Sequence, residues 1–410
     1  MFPIADVRGE FPSLHTGDDF IFFDNAAGAQ VPGPVIDAVR DHLLLRNVQR
    51  GGRYQRSIDV DEGIERARER VAVFVNAFAR EEIAFGLNAT SFIRAISLGV
   101  AQTLGDRDEI IVTDLDHEAN IAAWLALEPF GARIRWWHAR EDARLYADDL
   151  DALLTPKTRL VACALASNAI GSLVGVSEVS GRAHASGAEV FVDAVHYGPH
   201  APIDVQGFGC DYLVCSGYKI FGPHMGFLWG RRAALARLPT FKEEFIPDVP
   251  PAKLEAGTYA YENVAGMGAA VEYLERLGRR VTGTPDLAPR AAIVAAMEAI
   301  RRYEIGLSQA LLNLPTEVRG LRVHGLRDPD QAPLRTPTLC FTLDGLAPAE
   351  ITRRLAATGI GVRDGHMYAP RLMRRLGISP DTGAVRASLV HYNTLDEIAA
   401  FGEALRAMAP

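Results

Sequence analysis

The sequence predicts an α/β protein whose large domain holds a mainly parallel β-sheet and whose C-terminal part forms a smaller α+β domain. Between about residues 80 and 235, short apolar runs alternate with amphipathic stretches, which indicates βαβ units. After about residue 275, long helical stretches surround a few strands. A chain of 410 residues also exceeds the size at which one hydrophobic core keeps growing. We therefore expect a large domain over residues 21–274 and a small domain formed by residues 1–20 and 275–410.

Seven apolar runs are the strand candidates of the large domain. In chain order they are EEIAF, DEIIVTD, ARIRWWH, TRLVACALAS, GAEVFVDAV, CDYLVCSG and MGFLWG. The helical stretches SFIRAISLGVAQTL and ANIAAWLALEPFG separate the first three runs, as crossover connections in a parallel sheet require. Ligands of such sheets bind at the carboxyl ends of the strands, so we expect the functional residues in the loops that follow these runs.

The C-terminal part follows a different pattern. LERLGRR, PRAAIVAAMEAIRRYEIGLSQALLNL and PAEITRRLAATGI have helical periodicity, whereas TPTLCFTLDG and AVRASLVHY are typical of strands. This order predicts helices around two or three strands, joined to the large domain by a long helix.

Composition and charge exclude several classes of function. A net charge of −8 argues against non-specific binding to nucleic acid or to anionic membranes, since both need a basic surface. We see neither an apolar run long enough to span a bilayer nor a signal segment in MFPIADVRGEF, so the expected location is the cytoplasm. The four cysteines lack metal-ligand spacing, and we expect them to be buried and reduced.

Two strand ends carry the residues that indicate the chemistry. The run VFVD ends at Asp193, and a later run ends at Ser216, three residues before Lys219. A lysine amine in a desolvated or cationic setting forms Schiff bases with carbonyl cofactors. A carboxylate on a neighbouring strand can keep the ring nitrogen of pyridoxal 5'-phosphate (PLP) protonated, which makes the ring an electron sink. Lys219 and Asp193 therefore predict a PLP site.

Motifs along nearly the whole chain point to the same cofactor. FFDNAAGAQVP, GLNATSFIRAIS, DLDHEANIAAW, SNAIGS, VDAVH, SGYK, EAGT and RASLVHYNT follow one another in this order. Together they resemble the class V aminotransferase family of fold-type I PLP enzymes, and within it the cysteine desulfurase-like branch. The resemblance implies a mainly parallel seven-stranded sheet, a small C-terminal α+β domain, and a homodimer that completes each active site.

The resemblance also implies a role for each site residue. Lys219 would hold PLP as a Schiff base, Asp193 would pair with the pyridine nitrogen, and His117 would stack on the cofactor ring and take part in catalysis with them. The other cofactor contacts would be His196 and Asn168 at the phenolic oxygen, Ala89, Thr90, Ser216 and Tyr218 at the phosphate, and Thr258 from a neighbouring subunit. Arg386 would bind the α-carboxylate of an amino-acid substrate through two parallel hydrogen bonds, and Arg50, His366 and Tyr368 are further substrate contacts.

The stretch RDGHMYAP departs from the cysteine desulfurase pattern, which resembles RxGHHCA. Tyr368 stands where the nucleophilic cysteine of that pattern stands. A phenol cannot replace a thiolate as a sulfur acceptor, so we do not expect a persulfide relay. Smaller departures are Tyr218 in place of His, and Asn88 with Ala89 in place of a Gly-Thr pair.

A C–S lyase or other β-eliminating lyase that acts on an L-amino acid is the predicted function. Elimination needs a carbanion and a leaving group but no acceptor cysteine. Aminotransfer is the first alternative, and decarboxylative or aldol-type coupling is the next. A non-catalytic scaffold is a further alternative, although a scaffold has no physical need to keep Lys219, Asp193 and Arg386 together.

Each residue also has a plainer explanation when it is taken alone. Lys219 fits a solvated loop, Asp193 a helix cap, and Arg386 a surface strand. His117 fits an ordinary loop position, and Arg50 fits a solvated charge at a helix end. It is the order of the motifs that favours the site.

A metal site is the remaining alternative for two of the histidines. His196 and His200 have the spacing of metal ligands on one face of a helix, and Asp193 is near in sequence. Gly198 and Pro199 interrupt such a helix, so we expect no metal.

Overall fold

The computed structural model describes residues 2–17 and 20–409, and these residues form the predicted α/β architecture. The helices are α1 (Ile4–Gly9), α2 (Gly33–Leu45), α3 (Gln55–Val75), α4 (Ala89–Ala101), α5 (Ala119–Leu125), α6 (Val176–Ala185), α7 (Val205–Phe208), α8 (Arg232–Arg237), α9 (Tyr261–Thr282), α10 (Pro289–Glu317), α11 (Pro348–Ala357), α12 (Pro370–Arg375) and α13 (Leu395–Arg406). The strands are β1 (Ile21–Phe22), β2 (Ile83–Gly86), β3 (Glu109–Thr113), β4 (Arg133–Trp137), β5 (Thr158–Ala164), β6 (Glu189–Asp193), β7 (Tyr212–Ser216), β8 (Gly226–Gly230), β9 (Leu321–His324), β10 (Thr338–Leu343), β11 (Ile360–Gly361), β12 (Arg363–Gly365) and β13 (Ala384–Ser388).

The central sheet has seven strands in the order β2-β8-β7-β6-β5-β3-β4. Strands β4, β3, β5, β6 and β7 pair in parallel, and β8 runs antiparallel to both of its neighbours. The predicted mainly parallel seven-stranded sheet is therefore confirmed. Strand β6 ends at Asp193 and β7 at Ser216, as predicted, and the two strands are neighbours. Their carboxyl ends consequently lie at the same edge of the sheet.

Apolar side chains cover both faces of this sheet. Phe191 of β6 packs with Ile96 of α4 and Trp124 of α5, whereas Val190 and Val192 of β6 lie in the core on the opposite face. Successive side chains of a strand point to opposite faces, so a strand buried on both faces is apolar throughout. This is why the strand runs of the sequence lack polar alternation. The core on the second face also holds side chains from α3, α6 and α9.

The small sheet has four antiparallel strands in the order β12-β13-β10-β9. Two of them, β10 and β13, are the strands that TPTLCFTLDG and AVRASLVHY predicted. Phe341 of β10 packs against Phe401 of α13 in a core that also holds side chains from α10 and α11. Strand β1 pairs in parallel with β11 and so joins the N-terminal segment to this region. Helix α9 runs through residue 274, and the domain limits stay a prediction.

The cysteines and the apolar helices bear on two expectations from the sequence. All four cysteines are free and fully buried, as expected. Burial raises the pKa of each thiol, that of Cys340 to about 12. Within residues 2–17 and 20–409, no helix combines the length and apolar character needed to cross a membrane.

Candidate active site

A cavity lies at the carboxyl ends of β5, β6 and β7, beside the N-terminus of α4. This is the edge of the sheet where the sequence predicted the site. Its walls contain every predicted cofactor-binding residue except Thr258: Ala89, Thr90, His117, Asn168, Asp193, His196, Ser216, Tyr218 and Lys219. No three His, Cys, Asp or Glu side chains of the described chain meet where they could hold a metal ion.

Lys219 lies in a short 3-10 turn directly after β7. Its Nζ contacts the carbonyl oxygen of Ala26 and lies 5.4 Å from the centre of the Tyr218 ring. Burial, and next the charge of Arg386, lower the pKa of Lys219 to about 8. A larger fraction of this amine is therefore neutral near pH 7 than of a solvated lysine, and the neutral amine is the nucleophilic form.

Asp193 and His117 line the same cavity, and burial shifts their pKa values in opposite directions. The Asp193 carboxylate accepts a hydrogen bond of 2.8 Å from the amide of Val195, and burial raises the pKa of Asp193 to about 6. The His117 ring accepts a hydrogen bond of 3.1 Å at Nδ1 from the amide of Ala119. Burial, and then the charges of Lys219 and Arg386, lower the pKa of His117 to about 4, which keeps the ring neutral.

The buried Asp116 fixes the loop that carries His117. Its carboxylate accepts hydrogen bonds from the Thr113 hydroxyl (2.8 Å), the Asn120 side-chain amide (2.7 Å) and the Ala164 backbone amide (3.0 Å). These three donors belong to β3, α5 and β5. The sequence analysis did not select Asp116, although its position in DLDH one residue before His117 was a usable signal.

The N-terminus of α4 forms one end of the cavity. Asn88 and Ser91 form a capping box at this helix end, and the Ala89 amide donates a hydrogen bond of 3.1 Å to the Ser216 hydroxyl. A Cβ on Gly226 would lie 2.5 Å from the Asn88 backbone, so glycine at this position lets β8 approach the turn. Backbone amides and the helix dipole make such an end a binding site for anions.

Two further polar residues of the cavity, His196 and Asn168, differ in their hydrogen bonds. The His196 ring lies with Nε2 at 3.2 Å from the Thr336 hydroxyl and 3.0 Å from the Thr338 hydroxyl. The side-chain amide of Asn168 donates a hydrogen bond of 2.6 Å to the Met367 carbonyl. Its Oδ1 atom is buried and has no hydrogen-bond partner among the residues that the structure describes. A buried acceptor without a donor indicates room for a ligand with a polar group.

Arg386 of β13 lies buried behind Asn168. Its Nη1 donates a hydrogen bond of 2.9 Å to the Asn168 carbonyl, and its Nη2 lies 3.1 Å from the Asp24 carboxylate. Its buried Nε has no partner in the described part of the chain. Asp24 also receives a two-pronged contact from Arg363 of β12, at 3.0 and 2.7 Å. Two guanidinium groups thus converge on one carboxylate. Asp24 and Arg363 were not selected from the sequence, although both lie in quoted motifs.

Residues 366–368 form a turn over the His117 side of the cavity. Met367 and Tyr368 both have left-handed backbone angles, with φ of 51° and 56°. The Tyr368 ring is 55% exposed and lies 5.6 Å from the His117 ring. The His366 ring accepts a hydrogen bond of 3.1 Å from the Tyr368 amide. Tyr368 is thus a neighbour of His117, which lines the cavity, but neither Tyr368 nor His366 lines the cavity in the single chain.

Arg50 and Thr258 lie outside the cavity but close to each other. The Gln49 side-chain amide donates 2.6 Å to the Thr258 hydroxyl, and Arg50 pairs with Asp61 at 3.0 Å. Arg50 also reaches the hydroxyl of Tyr259, at 3.4 Å. One chain by itself does not bring these two predicted residues to the site.

The family model "Aminotransferase class-V" matches residues 21–401. The chain belongs to the class V aminotransferase family. It is 35% identical over 408 residues to "Aminotransferase-like protein FGM3" of Gibberella zeae, a match that covers 97% of this chain and 96% of the relative. It is 33% identical over 423 residues to a "Probable cysteine desulfurase" of Streptomyces coelicolor, which covers 97% and 95%.

The fold of this class V chain is similar to the folds of solved cysteine desulfurases. The apo cysteine desulfurase of Thermococcus onnurineus NA1 superposes with a TM-score of 0.87 at 27% identity, over 100% of this chain and 98% of that one. The cysteine desulfurase CsdA of Escherichia coli, as its S-sulfonic acid, gives a TM-score of 0.84 at 28% identity, over 99% and 98%. The predicted fold-type I architecture and the resemblance on which it depended are confirmed.

Pyridoxal 5'-phosphate is the cofactor of this class V enzyme, as it is for cysteine desulfurases. The cavity fits the group. It offers a lysine whose amine is easily deprotonated, a carboxyl at a strand end, a helix N-terminus and a buried amide oxygen without a partner. The protein is therefore a PLP-dependent enzyme of the cysteine desulfurase-like group.

Proposed function

We propose that this class V enzyme is a β-eliminating lyase that acts on the side chain of an L-amino acid, with a C–S bond as its main target, and that it uses no persulfide relay. The observation that carries the proposal is the identity of the residue next to His117. It is Tyr368, which has a phenol, and not a cysteine, which would have a thiol. All four cysteines are fully buried, and their raised pKa values keep the thiols protonated. A protonated buried thiol is a poor sulfur acceptor.

Each cavity residue has a part in this proposal. PLP supplies the electron sink that makes the α-proton of a bound amino acid acidic. Lys219 would hold the cofactor and move the α-proton, Asp193 would face the ring nitrogen, and the neutral His117 ring would cover the cofactor face. Ala89, Thr90, Ser216 and Tyr218 would surround the phosphate, and His196 and Asn168 would lie at the phenolic oxygen; all six residues line the cavity.

In this proposal Arg386 would hold the α-carboxylate and Arg363 would assist it. We call the group formed by Asp24, Arg363 and Arg386 the carboxylate-binding corner. Asp24 occupies both guanidinium groups in the structure. A planar guanidinium offers two parallel donors to a carboxylate, which fixes the orientation of the substrate α-carbon. Among the described residues the buried Nε of Arg386 has no partner, and its Nη2 would leave Asp24 to supply the second parallel donor to the substrate.

A homodimer is part of the proposal, and Thr258 and Arg50 then reach the partner's site. Phe241 and Phe245, in the segment before Thr258, are 99% and 81% exposed. Such large apolar side chains in solvent are typical of an interface. A groove on the same chain, lined by Val31, Val35, Val39 and Leu43, offers an apolar surface of the kind they need.

The first test is an absorption spectrum of the purified protein before and after borohydride reduction, followed by a panel of L-amino acids. We expect a cofactor band that reduction abolishes, a label on Lys219, and pyruvate with ammonia from cysteine or a cysteine conjugate. Lys219→Ala should abolish turnover, and the exposed Lys157→Ala is the matched control. A Lys219→Ala variant that keeps full turnover would contradict the mechanism.

Aminotransfer is the second candidate, favoured by the name of the Gibberella zeae relative. It predicts keto acids that keep the side chain, with the amino group retained on the cofactor and no free ammonia. Product analysis in the same panel separates the two reactions.

A cytoplasmic location, predicted from the sequence, also remains a proposal. Fractionation of cells that produce the protein, with detection in each fraction, is the measurement that checks it.

A further inference from the structure

Tyr368 is an exposed aromatic residue that the structure holds in an unfavourable backbone conformation. It follows Met367, and both residues have positive φ, although neither is glycine. Such conformations are unfavourable for residues other than glycine, and they persist where the surroundings fix them. The Met367 and Ala369 side chains on either side are buried, so the turn is anchored and the Tyr368 ring points outward from it.

Hydrogen bonds from the cavity residues fix this turn. The Asn168 side-chain amide donates 2.6 Å to the Met367 carbonyl, and the Glu118 amide donates 2.8 Å to the Tyr368 carbonyl. Asn168 lines the cofactor cavity, and Glu118 follows His117 directly. The turn is therefore tied to the two loops that surround the cofactor, and its conformation serves the position of the phenol.

The phenol has cationic and aromatic neighbours but no hydrogen-bond partner for its hydroxyl among the described residues. Its ring lies 5.6 Å from the His117 ring and 6.1 Å from the His366 ring. The pKa of Arg363 is raised first by its hydrogen bond to Asp24, and the Tyr368 phenol is among the further groups that raise it. The hydroxyl thus lies within electrostatic range of a guanidinium at the carboxylate-binding corner.

We propose that the Tyr368 hydroxyl is the acid that protonates the leaving group at the β-carbon of the substrate. The inference depends on the proposed elimination and specifies its substrates: L-amino acids whose β-substituent leaves as a thiolate or an alkoxide. Amino acids with a leaving group that needs no proton, such as chloride, do not require this hydroxyl.

The step balances with groups that the site contains. The Lys219 amine takes the α-proton, and the electron pair left on the α-carbon forms the second bond to the β-carbon. The bond from the β-carbon to sulfur breaks, its electron pair leaves with sulfur, and the Tyr368 proton passes to that sulfur. The phenolate regains a proton from water, which reaches the half-exposed ring directly.

The test compares two probes in the holoenzyme and its Tyr368→Phe variant. S-methyl-L-cysteine must release methanethiolate, whereas β-chloro-L-alanine releases chloride, and pyruvate formation is followed for both as initial rates. General acids contribute about 10²–10⁴-fold to such steps. We expect kcat for S-methyl-L-cysteine to fall by about 10²-fold or more in Tyr368→Phe and kcat for β-chloro-L-alanine to stay within about threefold.

Tyr146→Phe is the matched control. Its hydroxyl donates to Asp142 at the surface, at 2.6 Å, far from the described site, and its loss should alter neither rate. The cofactor absorption band checks that each variant holds PLP.

Two results would overturn the inference in different ways. Equal rate losses for both probes in Tyr368→Phe, or no loss for either, would exclude an acid role and leave the proposed elimination standing. A wild-type enzyme that forms pyruvate from neither probe would overturn the elimination itself, and the acid role with it.

Discussion

At the scale of single residues, Asp193 couples the cofactor site to pH. In the cofactor-free chain, burial raises the pKa of Asp193 from 3.8 to about 6, so folding favours the protonated carboxyl. The stabilisation is fully present below the unfolded pKa and is lost as pH rises through about 6. We expect this group to lower the unfolding free energy of the cofactor-free protein by about 1 kcal/mol between about pH 5 and about pH 8.

Urea unfolding of the cofactor-free protein at both pH values measures this effect. Asp193→Asn should lose that part of the pH dependence and keep the part due to Asp116, whose pKa burial raises to about 7. Identical pH dependence in wild type and Asp193→Asn would contradict the assignment.

Arg386 gives a second prediction at this scale. Arg386→Lys keeps the positive charge but loses the planar pair of donors that a carboxylate needs. We expect KM for the amino-acid substrate to rise by about 10-fold or more, with a smaller effect on kcat, because the lost contact concerns binding. Steady-state kinetics measure both constants. Arg322→Lys, an exposed change in the same small domain, is the control and should leave KM unchanged.

Two of the three residues missed in the sequence, Asp24 and Arg363, were missed for the same physical reason. The motifs supplied Lys219, Asp193, His117 and Arg386, because each sits in a stretch with a characteristic order. Arg363 and Asp24 become site residues only when β12, β13 and the N-terminal segment meet, which no local pattern reveals.

At the scale of elements, the N-terminus of α4 links helix stability to phosphate binding. Asn88→Ala removes the cap and should cost about 1 kcal/mol of stability. It should also weaken PLP binding, because the cap positions the amides that face the cavity. Thr394→Ala removes the corresponding capping box of α13, remote from the phosphate end. We expect similar losses of Tm in both variants but a raised Kd for PLP only in Asn88→Ala, measured by cofactor titration. Equal Kd values would contradict the role of this helix end.

The central sheet could be predicted further than the small one. Its strands are buried on both faces, so each appears as an apolar run that needs no partner to be recognised. Strands β9 and β12 were not predicted, because LRVH and RDG are short, charged and stabilised by their neighbours. Strand order and the antiparallel β8 likewise follow from long-range packing.

At the scale of the whole molecule, the exposed phenylalanines before Thr258 are the proposed contact between the two subunits of the homodimer. Phe241→Asp would place a carboxylate in a buried apolar contact, so we expect the dimer to dissociate and PLP affinity to fall with it. Light scattering gives the mass, which should drop from twice 44.6 kDa to 44.6 kDa. Phe130→Asp, at another exposed position, is the control. If the wild-type protein is a monomer with full PLP affinity, the proposal that Thr258 reaches the partner's cofactor site is excluded.

The carboxylate corner joins the two ends of the chain. Asp24 and Arg386 are separated by 362 residues in sequence and lie 3.1 Å apart in the structure. During synthesis on the ribosome, Asp193 and Lys219 emerge long before β13 does. The cofactor-holding strands are therefore available for folding while the substrate-holding corner is still unmade. The proposed PLP contacts of this enzyme are thus all synthesised before its proposed substrate-binding corner can form.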